Sequence, residues 1–212
     1  MIKAILFDFD DTLGNREYAA YNLYRDLLKP YFADELLLEA ALQDIMVADQ
    51  YSNVRKDLTQ DQIEERYNVR FDFRLRKIWD ELIGDYSMPF SDTVETLEYL
   101  KGKYLLGVVT NGYIETQNRK VEKAGITKYF DLILTSQEAG VLKPDPQIFR
   151  LAAERLGVNV DECVYVGDIF SNEIRGALNA GMDAVLIWKR GPRLCTYDVK
   201  RIENLSQLKE MF

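Results

Sequence analysis

The sequence predicts an α/β fold: a doubly wound parallel sheet carrying a small inserted helical bundle. Three observations point to it. The chain opens on an almost wholly apolar run at 2–7, broken only by Lys3, which reads as a strand buried on both faces. Residues 15–89 lose that pattern and take up helical periodicity, with few glycines and many tyrosines. From Ser91 onward, short β-rich runs alternate with helical segments, and strands separated by helices pair in parallel with helices on both faces. The expected division is a core of residues 1–14 and 90–212 with a helical insertion at 15–89. That suits a chain of 212 residues, longer than one average domain and shorter than two.

The elements follow in order. Ala4, Ile5, Leu6 and Phe7 form the first strand, which ends abruptly in Asp8-Phe9-Asp10-Asp11-Thr12-Leu13. In the insertion, Tyr18, Tyr21 and Tyr24 recur beside Leu23, Leu27 and Leu28, and Leu36, Leu37, Leu38, Leu42, Ile45 and Met46 mark a second helix. Phe71, Leu75, Ile78, Trp79, Leu82, Ile83 and Tyr86 form the stripe of one further helix, closed before Pro89. Aromatic stripes at this spacing are read as core. The core then resumes with helices at 92–101, 115–124 and 144–156 and another holding 176–180. Between them lie strands at 104–109, 131–134 and 163–166, and 183–188 is the last strand.

Composition excludes whole classes of chemistry. There is no histidine, which removes Ser-His and Cys-His pairs and imidazole ligands together. Proton transfer must fall to Asp, Glu, Lys, Tyr or water, and any metal bound should be a hard ion held by oxygen. Lys and Arg total 27 against 35 Asp and Glu, so the net charge of −8 argues against a nucleic-acid polymer as partner. No apolar run approaches the ~18 residues needed to span a bilayer, and no signal-like segment precedes Asp8, so no membrane association and a cytoplasmic location are expected. Cys163 and Cys195 are expected to be reduced and without a chemical role.

Four motifs carry chemistry, each at the end of a predicted strand, where open parallel sheets bind ligands. The first is Asp8-x-Asp10-x-Thr12. Strand alternation points Asp8 and Asp10 the same way and Asp11 elsewhere. Two such charges about 4 Å apart repel by roughly 4 kcal/mol at an effective dielectric near 20, so the pair calls for a cation or a shared proton. A solvated acidic turn is the plainer reading of this motif alone. The second is Thr110-Asn111-Gly112, whose hydroxyl and backbone N–H groups suit a phosphate oxygen, although taken alone an ordinary capped turn explains it better. The third is Lys143, placed just before a proline-initiated helix and able to aim its ammonium at the strand ends. The fourth is Gly167-Asp168, with Glu173 following. Three acids, a lysine and a threonine at four strand ends are hard to obtain as independent accidents.

Together these residues resemble the haloacid dehalogenase-like hydrolase superfamily, with its motifs in order over nearly the whole chain and an insertion resembling its helical cap. Gln117, Lys120, Gly125, Ile126 and Phe130 resemble the branch of nucleotidases and sugar-phosphate phosphatases. The resemblance implies a Rossmann-like core and a Mg²⁺-dependent phosphatase for small phosphate esters. Asp8 would be the nucleophile, forming an aspartyl-phosphate, and Asp10 the acid and then the base. Thr12 would support the loop. Mg²⁺ would be held by Asp8, the Asp10 carbonyl and Asp168, with Glu173 behind a bound water, while Thr110, Asn111 and Lys143 would hold the phosphoryl group. Dehalogenases lack the second acid and the metal, which makes them the weaker reading within the family; phosphonate hydrolases and phosphomutases stay open. A signalling receiver domain also combines acids, Thr and Lys on a parallel sheet, but it is shorter and has no helical insertion after its first strand. A non-catalytic relative would be expected to have lost a motif.

Overall fold

The computed structural model describes residues 1–50, 54–189 and 195–212. Two compact units emerge: Met1–Asn15 with Pro89–Phe212, and Arg16–Met88.

The first unit is built on strands β1 (Ala4–Phe7), β2 (Leu105–Thr110), β3 (Leu132–Thr135), β4 (Cys163–Gly167), β5 (Asp183–Ile187) and β6 (Lys200–Ile202). They pair in the order β3-β2-β1-β4-β5-β6, every neighbouring pair parallel. β1 is fully buried because both faces of the sheet are covered. Ile5 and Phe7 face one core, shared with Leu97 and Leu100 of helix α5 (Thr93–Leu100) and Val121 of α6 (Ile114–Lys123). Ala4 and Leu6 face the other, shared with Phe149 of α8 (Pro146–Arg155) and Ala177 of α9 (Arg175–Ala180). A strand enclosed on both sides carries no polar alternation, which is why β1 is apolar throughout. The strand order reverses on either side of β1, between β2 and β4, the place where such sheets open a crevice at their carboxyl ends.

The second unit holds α1 (Arg16–Leu28), α2 (Glu35–Asp49), α3 (Lys56–Tyr67) and α4 (Leu75–Leu82) around Ala20, Leu23, Tyr24, Leu42, Ile45, Ile63, Leu75 and Trp79. Asp34 caps α2 by accepting the N–H of Leu37 at 2.9 Å.

Several boundaries differ from expectation for identifiable reasons. The helix after Lys143 begins at Pro146, not at 144, because Asp145 takes the cap position and accepts the Gln147 N–H at 2.9 Å. The stripe from Phe71 to Tyr86 is not one helix. Phe71 lies ahead of α4, stacked on Phe73 at 5.1 Å, and the chain tightens at Ile83–Tyr86. α3 escaped the pattern because its buried face is Thr59, Gln60, Ile63 and Glu64, mostly polar. β6, a sixth strand beyond the one expected to be last, has three residues and buries Ile202 alone, so it leaves no apolar run to find.

Candidate active site

The site begins one residue beyond β1. The Asp8 N–H donates to the Val166 carbonyl of β4 at 3.0 Å, which extends the ladder and delivers the carboxylate at the strand end. After Asp8 the chain curls. Leu13 and Gly14 both donate to the Phe9 carbonyl, at 3.0 and 2.8 Å, and Asp11 adopts a left-handed φ of 56°. Strand alternation therefore stops at Phe7, and the two acids expected to face alike have different charged partners. Asp8 Oδ1 accepts from Lys143 Nζ at 2.5 Å, whereas Asp10 Oδ2 accepts from Lys120 Nζ of α6 at 2.6 Å. Thr12 is fully buried within this curl.

Lys143 arrives from the loop between α7 (Ser136–Ala139) and α8. Asn111 clamps its backbone from both sides. The amide Oδ1 accepts the Lys143 N–H at 2.8 Å and Nδ2 donates to the Lys143 carbonyl at 3.1 Å. The Asn111 side chain, expected at the phosphate, thus holds the lysine loop. The buried ammonium donates to Asp8, to Glu173 Oε1 at 3.0 Å and to the Tyr165 hydroxyl at 3.0 Å. Burial alone would lower its pKa, but Asp8 and Glu173 outweigh that and raise it well above the ordinary lysine value, so Lys143 is charged.

Glu173 sits in a wide π-type turn, Phe170–Ile174, that leads into α9, and its Oε2 accepts the Ile169 N–H at 2.9 Å. It packs directly over Gly167, where any Cβ would run into the Glu173 carboxylate, so the glycine before Asp168 makes room for the second acid. Burial, then the Asp8 charge, push the Glu173 carboxyl up to about 7. Glu173 offers a carboxylate oxygen within 4.8 Å of those of Asp8 and Asp168, all three residues buried. The donors are oxygens only, their negative charge exceeds the single ammonium among them, and the set suits a hard divalent cation.

Thr110 ends β2 with a buried hydroxyl that donates to Gln117 Oε1 of α6 at 3.3 Å. Gly112 follows at φ 147°, pressed against Gln117 where a side chain would collide, and its N–H donates to Ser136 Oγ at 2.9 Å. Two neighbours of the site carried no assigned role in the sequence. Lys120 stood out only as part of the resemblance, and Tyr165 lay unremarked within the expected strand at 163–166. Both cysteines are unbridged.

A sequence profile of haloacid dehalogenase-like hydrolases matches residues 5–187. The chain belongs to this family. Among haloacid dehalogenase-like proteins, the glyceraldehyde 3-phosphate phosphatase of Methanothermobacter thermautotrophicus is 34% identical, covering 100% of both chains. The protein of the same description from Methanopyrus kandleri is 34% identical over 90% of this chain and 85% of its own. The crystal structure of a HAD phosphatase from Thermococcus onnurineus matches with a TM-score of 0.68 at 29% identity, covering 99% of this chain and 97% of its own. No helix among the described residues is long and apolar enough to cross a membrane.

Proposed function

We propose that this haloacid dehalogenase-like hydrolase is a Mg²⁺-dependent phosphatase for small phosphate monoesters, working through an aspartyl-phosphate on Asp8. The observation that carries the reading is the buried gathering of Asp8 from the end of β1, Asp168 and Glu173 from beyond β4, and Lys143 from the loop before α8. Asp8, the Asp10 carbonyl, Asp168 and Glu173 would hold Mg²⁺, which when bound offsets negative charge on the phosphoryl oxygens.

The chain's own groups do the rest. Lys143 pairs with Asp8 Oδ1, and the Asp8 carboxylate attacks phosphorus in line with the ester oxygen. The P–O bond to the alcohol breaks, and Asp10 gives that oxygen its proton. A water then attacks the phosphoryl group, Asp10 takes the proton back, and Asp8 and inorganic phosphate are released. Lys143, the Thr110 hydroxyl and the N–H groups following β2 hold the phosphoryl oxygens. The helical unit Arg16–Met88 is proposed as the cap that sets selectivity. The names of the relatives make glyceraldehyde 3-phosphate the first substrate to try. A small diffusible ester also fits a chain of net charge −8, and the cytoplasm is the proposed setting.

The test is a panel of phosphorylated metabolites with glyceraldehyde 3-phosphate and 4-nitrophenyl phosphate among them. Hydrolysis should need Mg²⁺, vanish with chelator and return on adding the ion. Asp8→Asn should lose at least about a thousandfold in kcat, because no nucleophile remains. A wild type inert on the whole panel, or an Asp8→Asn variant at full rate, would overturn the assignment.

A further inference from the structure

Tyr165 has no part in the reaction as written, yet its hydroxyl touches the ammonium at the centre of the site. We propose that Tyr165 is a positioning residue for Lys143, holding the ammonium in place while Asp8 changes charge during the reaction. The inference rests on the phosphatase reading, since that reading supplies the change of charge.

An ammonium has three N–H donors, and those of Lys143 meet Asp8, Glu173 and Tyr165 at 2.5, 3.0 and 3.0 Å. Two of the three do not offer a constant anchor. Asp8 gives up its negative charge when its oxygen bonds to phosphorus, and both Asp8 and Glu173 belong to the oxygen cluster that a cation would draw on. Tyr165 is neither nucleophile nor ligand. Its hydroxyl is also oriented: the single hydrogen goes to the Val109 carbonyl of β2 at 2.7 Å, so a lone pair faces Lys143. The ring is fixed by the β-sheet register, opposite Leu6 and Ala184, and by an edge contact to Phe149 with centroids 5.0 Å apart. Burial raises the phenol well above its ordinary pKa, which keeps it a neutral acceptor throughout. The hydroxyl thus ties the lysine to β2 and β4 by a bond that does not depend on where the reaction stands.

The experiment compares wild type, Tyr165→Phe, Lys143→Met and the double variant at 25 °C. Turnover of 4-nitrophenyl phosphate is measured at saturating Mg²⁺, and calorimetry gives the affinities for inorganic phosphate and for Mg²⁺ alone. Tyr165→Phe keeps the ring and its packing. Its kcat should fall about tenfold, as expected for losing a hydrogen bond to a charged group, with KM changing less. Phosphate should bind several-fold more weakly, and the Mg²⁺ affinity should stay within about twofold. On the Lys143→Met background the same substitution should change neither rate nor phosphate affinity, because the group it positions is gone. An unchanged kcat and phosphate affinity in Tyr165→Phe would overturn the inference. So would multiplicative losses in the double variant, or Mg²⁺ affinity falling in step with phosphate, because either marks a general structural role. A wild type that neither turns over the ester nor binds phosphate gives a different signature and overturns the phosphatase reading itself.

Discussion

Asp10 faces opposite demands in the two halves of the proposed reaction, donating a proton to the leaving alcohol and then accepting one from water. What serves both is orientation, and Lys120 provides a fixed point, its buried ammonium 2.6 Å from Asp10 Oδ2. Lys120→Met keeps an unbranched side chain of similar length and removes the anchor. We expect kcat to fall about tenfold to a hundredfold, a fraction of what a positioned acid-base contributes, with Mg²⁺ affinity little changed. Steady-state turnover with parallel Mg²⁺ titration checks this, and an unaltered kcat would leave Lys120 a packing residue. Legibility in sequence divides along the same line. Asp8, Lys143 and Asp168 stand out because charge interrupts or borders apolar runs, where it is costly without a purpose. Lys120 lies on a helix whose other lysine and glutamates look like ordinary surface, and Tyr165 lies where any aromatic would be read as core. Asn111 is a different case: its side chain bonds the backbone of Lys143, a contact that no local pattern announces. A side-chain amide can turn to substrate or to the backbone of a distant loop, and only the fold brings Lys143 within its reach.

The helical unit shows the same contrast one level up, where elements cohere through a contact that periodicity does not predict. Asp49, at the end of α2 and 1% exposed, accepts from Arg16 of α1 at 3.0 Å and pairs with Lys56 of α3. Lys56 also donates to the Tyr24 hydroxyl at 3.2 Å and lies 3.6 Å from the Trp79 ring centroid, so one carboxylate gathers cations from two helices beside an aromatic wall. The stripes of α1 and α2 were legible, as Tyr and Leu in the first and as Leu, Ile and Met in the second. The polar face of α3 was not, because Gln60 and Glu64 are buried through hydrogen bonds, Gln60 to the Phe73 carbonyl and Glu64 to the Phe71 N–H. Asp49→Asn leaves two buried cations without their carboxylate, and should cost about 3 kcal/mol at pH 7. Burial pushes the Asp49 carboxyl up, but Lys56 and Arg16 outweigh it and hold the pKa below 3.8. A depressed folded-state pKa gives stability that is present above the unfolded value and is lost as pH falls through the folded one. Urea unfolding should therefore show wild type and Asp49→Asn far apart at pH 7, with the gap beginning to close below about pH 4 and closing fully only as pH falls through the depressed folded-state pKa, where wild type is protonated too. A gap independent of pH would mean that the substitution acts through packing.

Across the whole molecule, the helical unit interrupts the α/β unit at one point of its chain. Gly14 bridges antiparallel to Pro89, Phe90 donates to the Leu13 carbonyl at 3.1 Å, and the Thr93 hydroxyl donates to the same oxygen at 2.9 Å. The chain thus leaves the α/β unit and re-enters it at neighbouring positions, so closing the gap needs a short loop and little entropy. Each unit also has its own core, the two faces of the sheet in one case and the cluster around Tyr24 and Trp79 in the other. Joining Asn15 to Pro89 through a few Gly and Ser residues should therefore leave an α/β unit that unfolds cooperatively, with a smaller urea m-value in proportion to the surface removed. Every residue of the proposed chemistry lies outside the excised Arg16–Met88, so the shortened chain should still bind Mg²⁺ and turn over 4-nitrophenyl phosphate at a reduced rate. What it should lose is discrimination: kcat/KM values across a metabolite panel should draw together if Arg16–Met88 sets selectivity. A shortened chain that keeps the wild-type ranking of substrates would place selectivity in the α/β unit, and one that melts without cooperativity would show that the sheet depends on the helices for its fold.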